Sequence, residues 1–83
     1  MPQRRSKAQI IAQILTLCQG NDAGKTLIVY QAGLNFKTVN GYLDLLLEKG
    51  LLEVIEGDRT IYKTTDKGER ALESLRAVEA IFS

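Results

Sequence analysis

The stretch TLIVYQAGLNFKTVNGYLDLLLEKG, Thr26 to Gly50, with LLEVIEGDRTIYKT, Leu51 to Thr64, behind it, decides how this chain folds. An apolar run breaks at Ala32-Gly33, a small pair suited to a sharp turn between two closely approaching helices. Thr26 is the expected N-cap of the short helix before that break, which holds Leu27, Ile28, Val29 and Tyr30. The β-branched pair Ile28-Val29 would suit a strand by itself, and the small pair after it tips the reading to helix. Asn35 is the best N-cap residue of the chain, and Phe36, Val39, Leu43 and Leu46 follow at spacings of three and four. All four are expected to point inward. The opposite side collects Lys37, Gly41, Asp44 and Glu48, with Thr38 and Asn40 on its flanks. Gly50 ends this helix, and strand-like runs then flank the turn Glu56-Gly57-Asp58. The order is helix, turn, helix, β-hairpin.

Outward from that centre, Ser6 and Gln9 form a capping box, and Ile10, Ile11, Ile14, Leu15, Leu17 and Cys18 recur at helical spacing as far as Gly20. Asn21 to Gly24 read as a polar surface turn. In the hairpin, Tyr62 and Thr64 are expected to face the core, leaving Arg59, Ile61 and Lys63 outside. Thr65 caps a last helix over 65–82, with Asp66 and Glu69 in its first turn, where the positive end of the helix dipole favours carboxylates. Its apolar stripe runs through Ala71, Leu72, Leu75, Val78, Ile81 and Phe82. The part near Leu72 can seal the core. Leu75, Val78, Ile81 and Phe82 extend further and are the expected contact with a second copy of the chain; the competing reading packs the whole helix onto the first. The expected fold class is therefore mainly α (α+β): a winged helix-turn-helix of three helices, a two-stranded β-wing and a C-terminal dimerisation helix. It forms one domain over residues 1–83, with 1–5 a flexible basic arm.

Composition bounds what such a domain does. At 83 residues the chain buries roughly 60% of its unfolded surface, so a stabilising partner is plausible. With 45% hydrophobic and 25% charged residues and one Pro, it reads as globular and not as disordered. No apolar run approaches the ~20 residues of a membrane span. Met1 to Lys7 lack the apolar core of a signal peptide, so a cytoplasmic location is expected. The absence of His and the single Cys exclude His-based acid–base catalysis and a Cys/His zinc site within one chain. No enzyme, no cofactor and no metal are expected. Cys18, inside an apolar helical pattern, reads as a buried small hydrophobe. Gly24-Lys25-Thr26 is similar to the end of a phosphate-binding loop, but Gln19 stands where the first glycine is needed and a helix precedes it. A loop entering the second helix is preferred.

A helix-turn-helix with a small hairpin suits nucleic acid, because its second helix fits a major groove while the hairpin reaches the adjacent backbone. Lys37 can meet a phosphate or a guanine edge, Thr38 a phosphate or a thymine methyl, and Asn40 an adenine edge. Gly41 would admit a close backbone. Arg59 and Lys63 on the wing, and Arg4, Arg5 and Lys7 in the arm, are phosphate candidates. Each has a plainer reading: a solvated helix face with an incidental glycine, cations that protect an edge strand, an ordinary solvated terminus. The acidic tip, Glu56 and Asp58, repels phosphate. Eleven cations against ten acids give only +1. Residues 1–50 nevertheless carry six cations and three acids, net +3, and 51–83 five cations and seven acids, net −2.

Taken together, Lys25-Thr26, Ile28, Tyr30, Ala32, Leu34, Phe36, Tyr42-Leu43, Leu46, Gly50-Leu51-Leu52, Tyr62, Thr65 and Lys67-Gly68 resemble the small archaeal winged-helix DNA-binding proteins over about residues 6–82. The resemblance implies a homodimeric archaeal-type transcriptional regulator or a chromatin-associated architectural protein that binds double-stranded DNA and lies with the nucleoid. Some members dimerise through a long C-terminal coiled-coil helix; the fourth helix here, ending at Ser83, is shorter. A second reading stays open, a winged helix used as a protein–protein interaction module. Leu45, apolar on the outer side of the third helix, and the low net charge favour it.

Overall fold

The computed structural model describes residues 5–20 and 23–82. In chain order it contains α1 (Lys7–Leu17), α2 (Lys25–Ala32), α3 (Phe36–Glu48), β1 (Leu52–Ile55), β2 (Ile61–Thr64) and α4 (Asp66–Phe82). The capping box closes α1: Gln9 N–H donates to Ser6 Oγ at 3.1 Å, and Ser6 N–H to Gln9 Oε1 at 2.7 Å. Asn35 caps α3, its Oδ1 accepting from Thr38 N–H at 2.8 Å. Gly33 ends α2 in the left-handed region at φ +66°, where a side chain would be strained.

The start of α2 differs from expectation. Gly24, not Thr26, is the N-cap; the helix begins at Lys25, and no side chain caps it. The cause lies just upstream, where Ala23 bridges to Tyr62 and its carbonyl accepts the Tyr62 N–H at 2.8 Å. That pairing fixes the chain at Ala23, which is fully buried, so the helix starts two residues later. Ala23 thus adds a one-residue third rung to the sheet instead of lying in a surface turn.

β1 and β2 pair antiparallel, with Leu52 opposite Thr64 and Val54 opposite Tyr62. In β2 the alternation holds, with Tyr62 and Thr64 buried and Lys63 facing out, whereas in β1 only Leu52 is buried and Val54, on the same face, is exposed. Thr64 docks the sheet on the end of α1: its Oγ1 donates to the Leu15 carbonyl at 2.7 Å and its N–H to the Cys18 carbonyl at 3.1 Å. These bonds satisfy carbonyls that a helix end leaves without partners. At the other junction Thr65 Oγ1 accepts Gly68 N–H at 3.0 Å and donates to the Gly50 carbonyl at 2.7 Å, joining α4 to the end of α3. Lys67 Nζ adds a cation there, donating to the Lys49 carbonyl at 2.8 Å.

One core gathers all of these elements, with Ile14, Leu15, Cys18, Ile28, Val39, Leu43, Leu46, Leu52 and Leu72 in it. Phe36, expected inward with Val39, Leu43 and Leu46, is 51% exposed. At 100° per residue it sits roughly 60° to one side of Val39, at the edge of the arc that holds Val39, Leu43 and Leu46. α4 runs antiparallel along α1, with Gln19 Nε2 donating to Glu69 Oε1 at 2.7 Å and Arg76 Nη2 to Thr16 Oγ1 at 3.0 Å. Leu72 is buried and Leu75 packs against the core, but exposure then climbs through Val78 (53%) and Ile81 (75%) to Phe82 (84%). The helix therefore does not pack fully onto α1. No helix of the described residues is long and apolar enough to cross a membrane.

Candidate nucleic-acid interface

The outer surface of α3 is built by the residue order itself. Once Val39, Leu43 and Leu46 take the buried side, the helical period leaves Lys37, Asn40, Gly41, Asp44 and Glu48 exposed and Thr38 half-buried. Lys7, the first residue of α1, comes alongside. Together Lys7, Lys37, Thr38, Gly41, Tyr42 and Leu45 line an open groove of about 410 Å³. The lining thus combines two exposed lysines with the half-buried Thr38, Tyr42 and Leu45. A Cβ placed on Gly41 would meet nothing within 4 Å, so no packing inside the chain calls for glycine there.

The structure unites four of the candidate contacts, Lys7, Lys37, Thr38 and Gly41, in that groove. Asn40 does not line it and shares the other flank of α3 with Phe36, four residues before. Arg59 and Lys63 are exposed on the wing and outside the groove lining. Lys63 stands directly opposite Glu53 in the strand register, an opposite-charge pairing that itself favours the hairpin. Glu56 and Asp58 are exposed at the tip. Arg4 lies outside the described residues. Arg5, assigned above to the flexible arm, is held: its Nη1 donates to Gln13 Oε1 at 2.5 Å and to the Ala32 carbonyl at 2.6 Å.

Two aromatic residues were not among the expected contacts. Tyr42 joins the groove, and Tyr30 on α2 is 81% exposed. A signal for Tyr30 was present: the buried residues of α2 are Ile28 and Ala32, and a residue two positions from each falls on the opposite face. Away from this surface, Cys18 is fully buried, and burial pushes its thiol up to about 11. A neutral thiol in the core is no nucleophile.

The sequence matches the winged helix-turn-helix family over residues 4–82, nearly its whole length. The chain belongs to that family. Among solved structures, this winged helix-turn-helix chain is similar to Sso10a-2, a DNA-binding protein from Sulfolobus solfataricus, at 33% identity and a TM-score of 0.83, over 93% of this chain and 81% of that one. PcaV, a transcriptional regulator from Streptomyces coelicolor, superimposes with a TM-score of 0.76 over 90% of this chain and 56% of that one, at 22% identity, which speaks for the fold alone. An uncharacterized protein of Methanocaldococcus jannaschii is 35% identical over 75 residues, 90% of this chain. The winged helix-turn-helix chain spans 34% of that relative's length.

Proposed function

We propose that this protein is a homodimeric DNA-binding regulator of the archaeal type, with α3 in the major groove, the wing on the backbone and α4 at the dimer contact. The observation that carries the reading is the groove that sets Lys7 of α1 beside Lys37, Thr38 and the bare backbone of Gly41. The N-terminal half of a recognition helix meets base edges, and cations beside it neutralise phosphates. Gly41 then gains the purpose that the chain's own packing does not give it, close approach of a partner's backbone. Similarity to Sso10a-2, a DNA-binding protein, supports the same reading. So does the charge division, with the half that contains α1 and α3 carrying net +3. A DNA-binding regulator of this kind works in the cytoplasm, with the nucleoid.

Fluorescence anisotropy with a random-sequence duplex pool across a salt series tests it. Neutralising Z phosphates gives a slope of about −0.9Z in log K against log salt, whereas an apolar protein interface barely responds to salt. Saturable binding with a steep negative slope supports DNA recognition, and the enriched sequences give the site. Lack of binding at low salt transfers the groove, with Tyr42 and Leu45 in its lining, to a protein partner.

A further inference from the structure

The four last carbonyls of a helix have no partner within it, and in α2 each one can be traced. Gly33 N–H donates to Val29 at 3.0 Å and to Tyr30 at 3.3 Å, and Leu34 N–H to Val29 at 3.2 Å, the hydrogen bonds of a left-handed glycine turn. The remaining carbonyls, Gln31 and Ala32, are taken from outside the helix. Gln13 Nε2 donates to Gln31 at 3.3 Å, and Arg5 Nη1 to Ala32 at 2.6 Å. The two capping side chains hold each other, because Arg5 Nη1 also donates to Gln13 Oε1 at 2.5 Å. Arg5 Nη2 stands 4.0 Å from where a Cβ on Gly33 would be, so the guanidinium lies against the corner itself.

α2 needs this help. At eight residues it is shorter than a helix that is stable alone, its N-cap Gly24 offers no side chain, and no basic residue of its own stands in its last turn. A guanidinium at that end supplies both the missing donor and the charge that a helix C-terminus favours. The corner it closes leads through Leu34 directly into Asn35 and α3.

We infer that Arg5 and Gln13 form a two-residue C-cap on α2 that fixes the helix-turn-helix corner, making Arg5 a positioning residue for the recognition helix and not a phosphate contact. The inference rests on the DNA-binding reading for its consequence, though its structural half stands apart from it. Holding Arg5 in place also sets the path of the next residues, Ser6 and Lys7, and so keeps Lys7 at the groove.

The test uses Arg5→Ala, Gln13→Ala and the double variant of the full chain, at a temperature where circular dichroism shows all of them folded. Amide exchange at Gly33 and Leu34 is expected to speed up about tenfold in each single variant. The double variant should add little, because residues of one network do not act additively. Backbone NMR shifts from Phe36 to Asn40 should move in both. Duplex affinity should fall several-fold in both single variants, with the salt slope that of the unaltered protein.

Three results overturn the proposal. One is unchanged exchange at Gly33 and Leu34 in Arg5→Ala. Another is a salt slope shallower by about one in Arg5→Ala with Gln13→Ala silent, the signature of a lost phosphate contact. The third is faster exchange with unmoved α3 shifts and full affinity, which leaves the cap stability alone. If the unaltered protein binds no duplex, the DNA reading fails separately, and the exchange and shift measurements decide the cap.

Discussion

A Cβ on Gly68 would run into the Leu51 carbonyl oxygen and stand 2.7 Å from Thr64 Cγ2. Here α4 crosses the start of the hairpin backbone to backbone, and neither neighbour is a flexible side-chain end. Gly68→Ala should therefore destabilise the fold by about 2–4 kcal/mol, read from urea unfolding. Gly41 is the counter-case, with open space around the same hypothetical atom. Alanine there should stabilise the helix by about 0.5–1 kcal/mol and raise the melting midpoint by roughly 3–6 °C, while weakening DNA binding. A rise in both stability and affinity would remove the close-approach role of Gly41. Cys18 makes a third residue-scale prediction. Its thiol, raised from 9.0 to about 11 by burial, favours the folded state fully below pH 9, and that contribution is lost as pH climbs from about 9 through about 11. On the order of 2 kcal/mol is at stake. Melting midpoints should fall more steeply over that interval in the unaltered protein than in Cys18→Ala; parallel curves would refute it. Cys18 was readable from the apolar pattern around it. Gly68 was not, because a glycine in a sequence does not say what passes over it.

At the scale of elements, the caps and stops were legible because they are local. Ser6 with Gln9, Asn35, Gly33 and Thr65 each act within a few residues of themselves, and all do as the sequence implies. What escaped depends on contacts far along the chain. The Ala23 bridge to Tyr62 leaves no periodicity, since one residue has none, and it moves the start of α2 away from Thr26. The hold on Arg5 comes from Gln13 and Ala32, which its own neighbours do not reveal. The groove was half legible: the α3 period exposes Lys37 and Gly41, but the arrival of Lys7 depends on how α1 packs. Lys37 and Asn40, three residues apart, are exposed neighbours on α3, and of the two only Lys37 lines the groove. The double substitution Lys37→Ala with Asn40→Ala should leave the melting midpoint within about 2 °C, as exposed positions do, and abolish discrimination between DNA sites. Selection from a random duplex pool reads this directly, and an unchanged consensus would take α3 out of the recognition role.

For the whole molecule, the rising exposure along α4 is the feature that a lone copy leaves unexplained. Leu72 and Leu75 are spent on the core, yet Val78, Ile81 and Phe82 carry the same stripe into solvent. Between the start of α1 and the end of α4, Ser6, Ala8, Gln9, Val78, Glu79 and Phe82 line a second groove of about 380 Å³. A two-fold pairing of α4 would cover the stripe with its own copy, since an isologous contact needs a surface that matches itself. The protein should then sediment at twice the mass of one chain, and Ile81→Asp with Phe82→Asp should yield a folded monomer. Because Leu72 is untouched, the melting midpoint of the monomer should lie near that of the dimer at low concentration. Such a pairing would also change what DNA sees. Two recognition helices related by a two-fold axis read half-sites about one helical turn apart, so the selected site should be an inverted repeat with centres about 10–10.5 base pairs apart or a multiple of that. The Ile81→Asp, Phe82→Asp variant should keep the half-site preference and lose the requirement for the second half. A variant still dimeric by sedimentation would place the self-contact elsewhere on the chain, and a dimer that selects a single half-site would separate association from recognition.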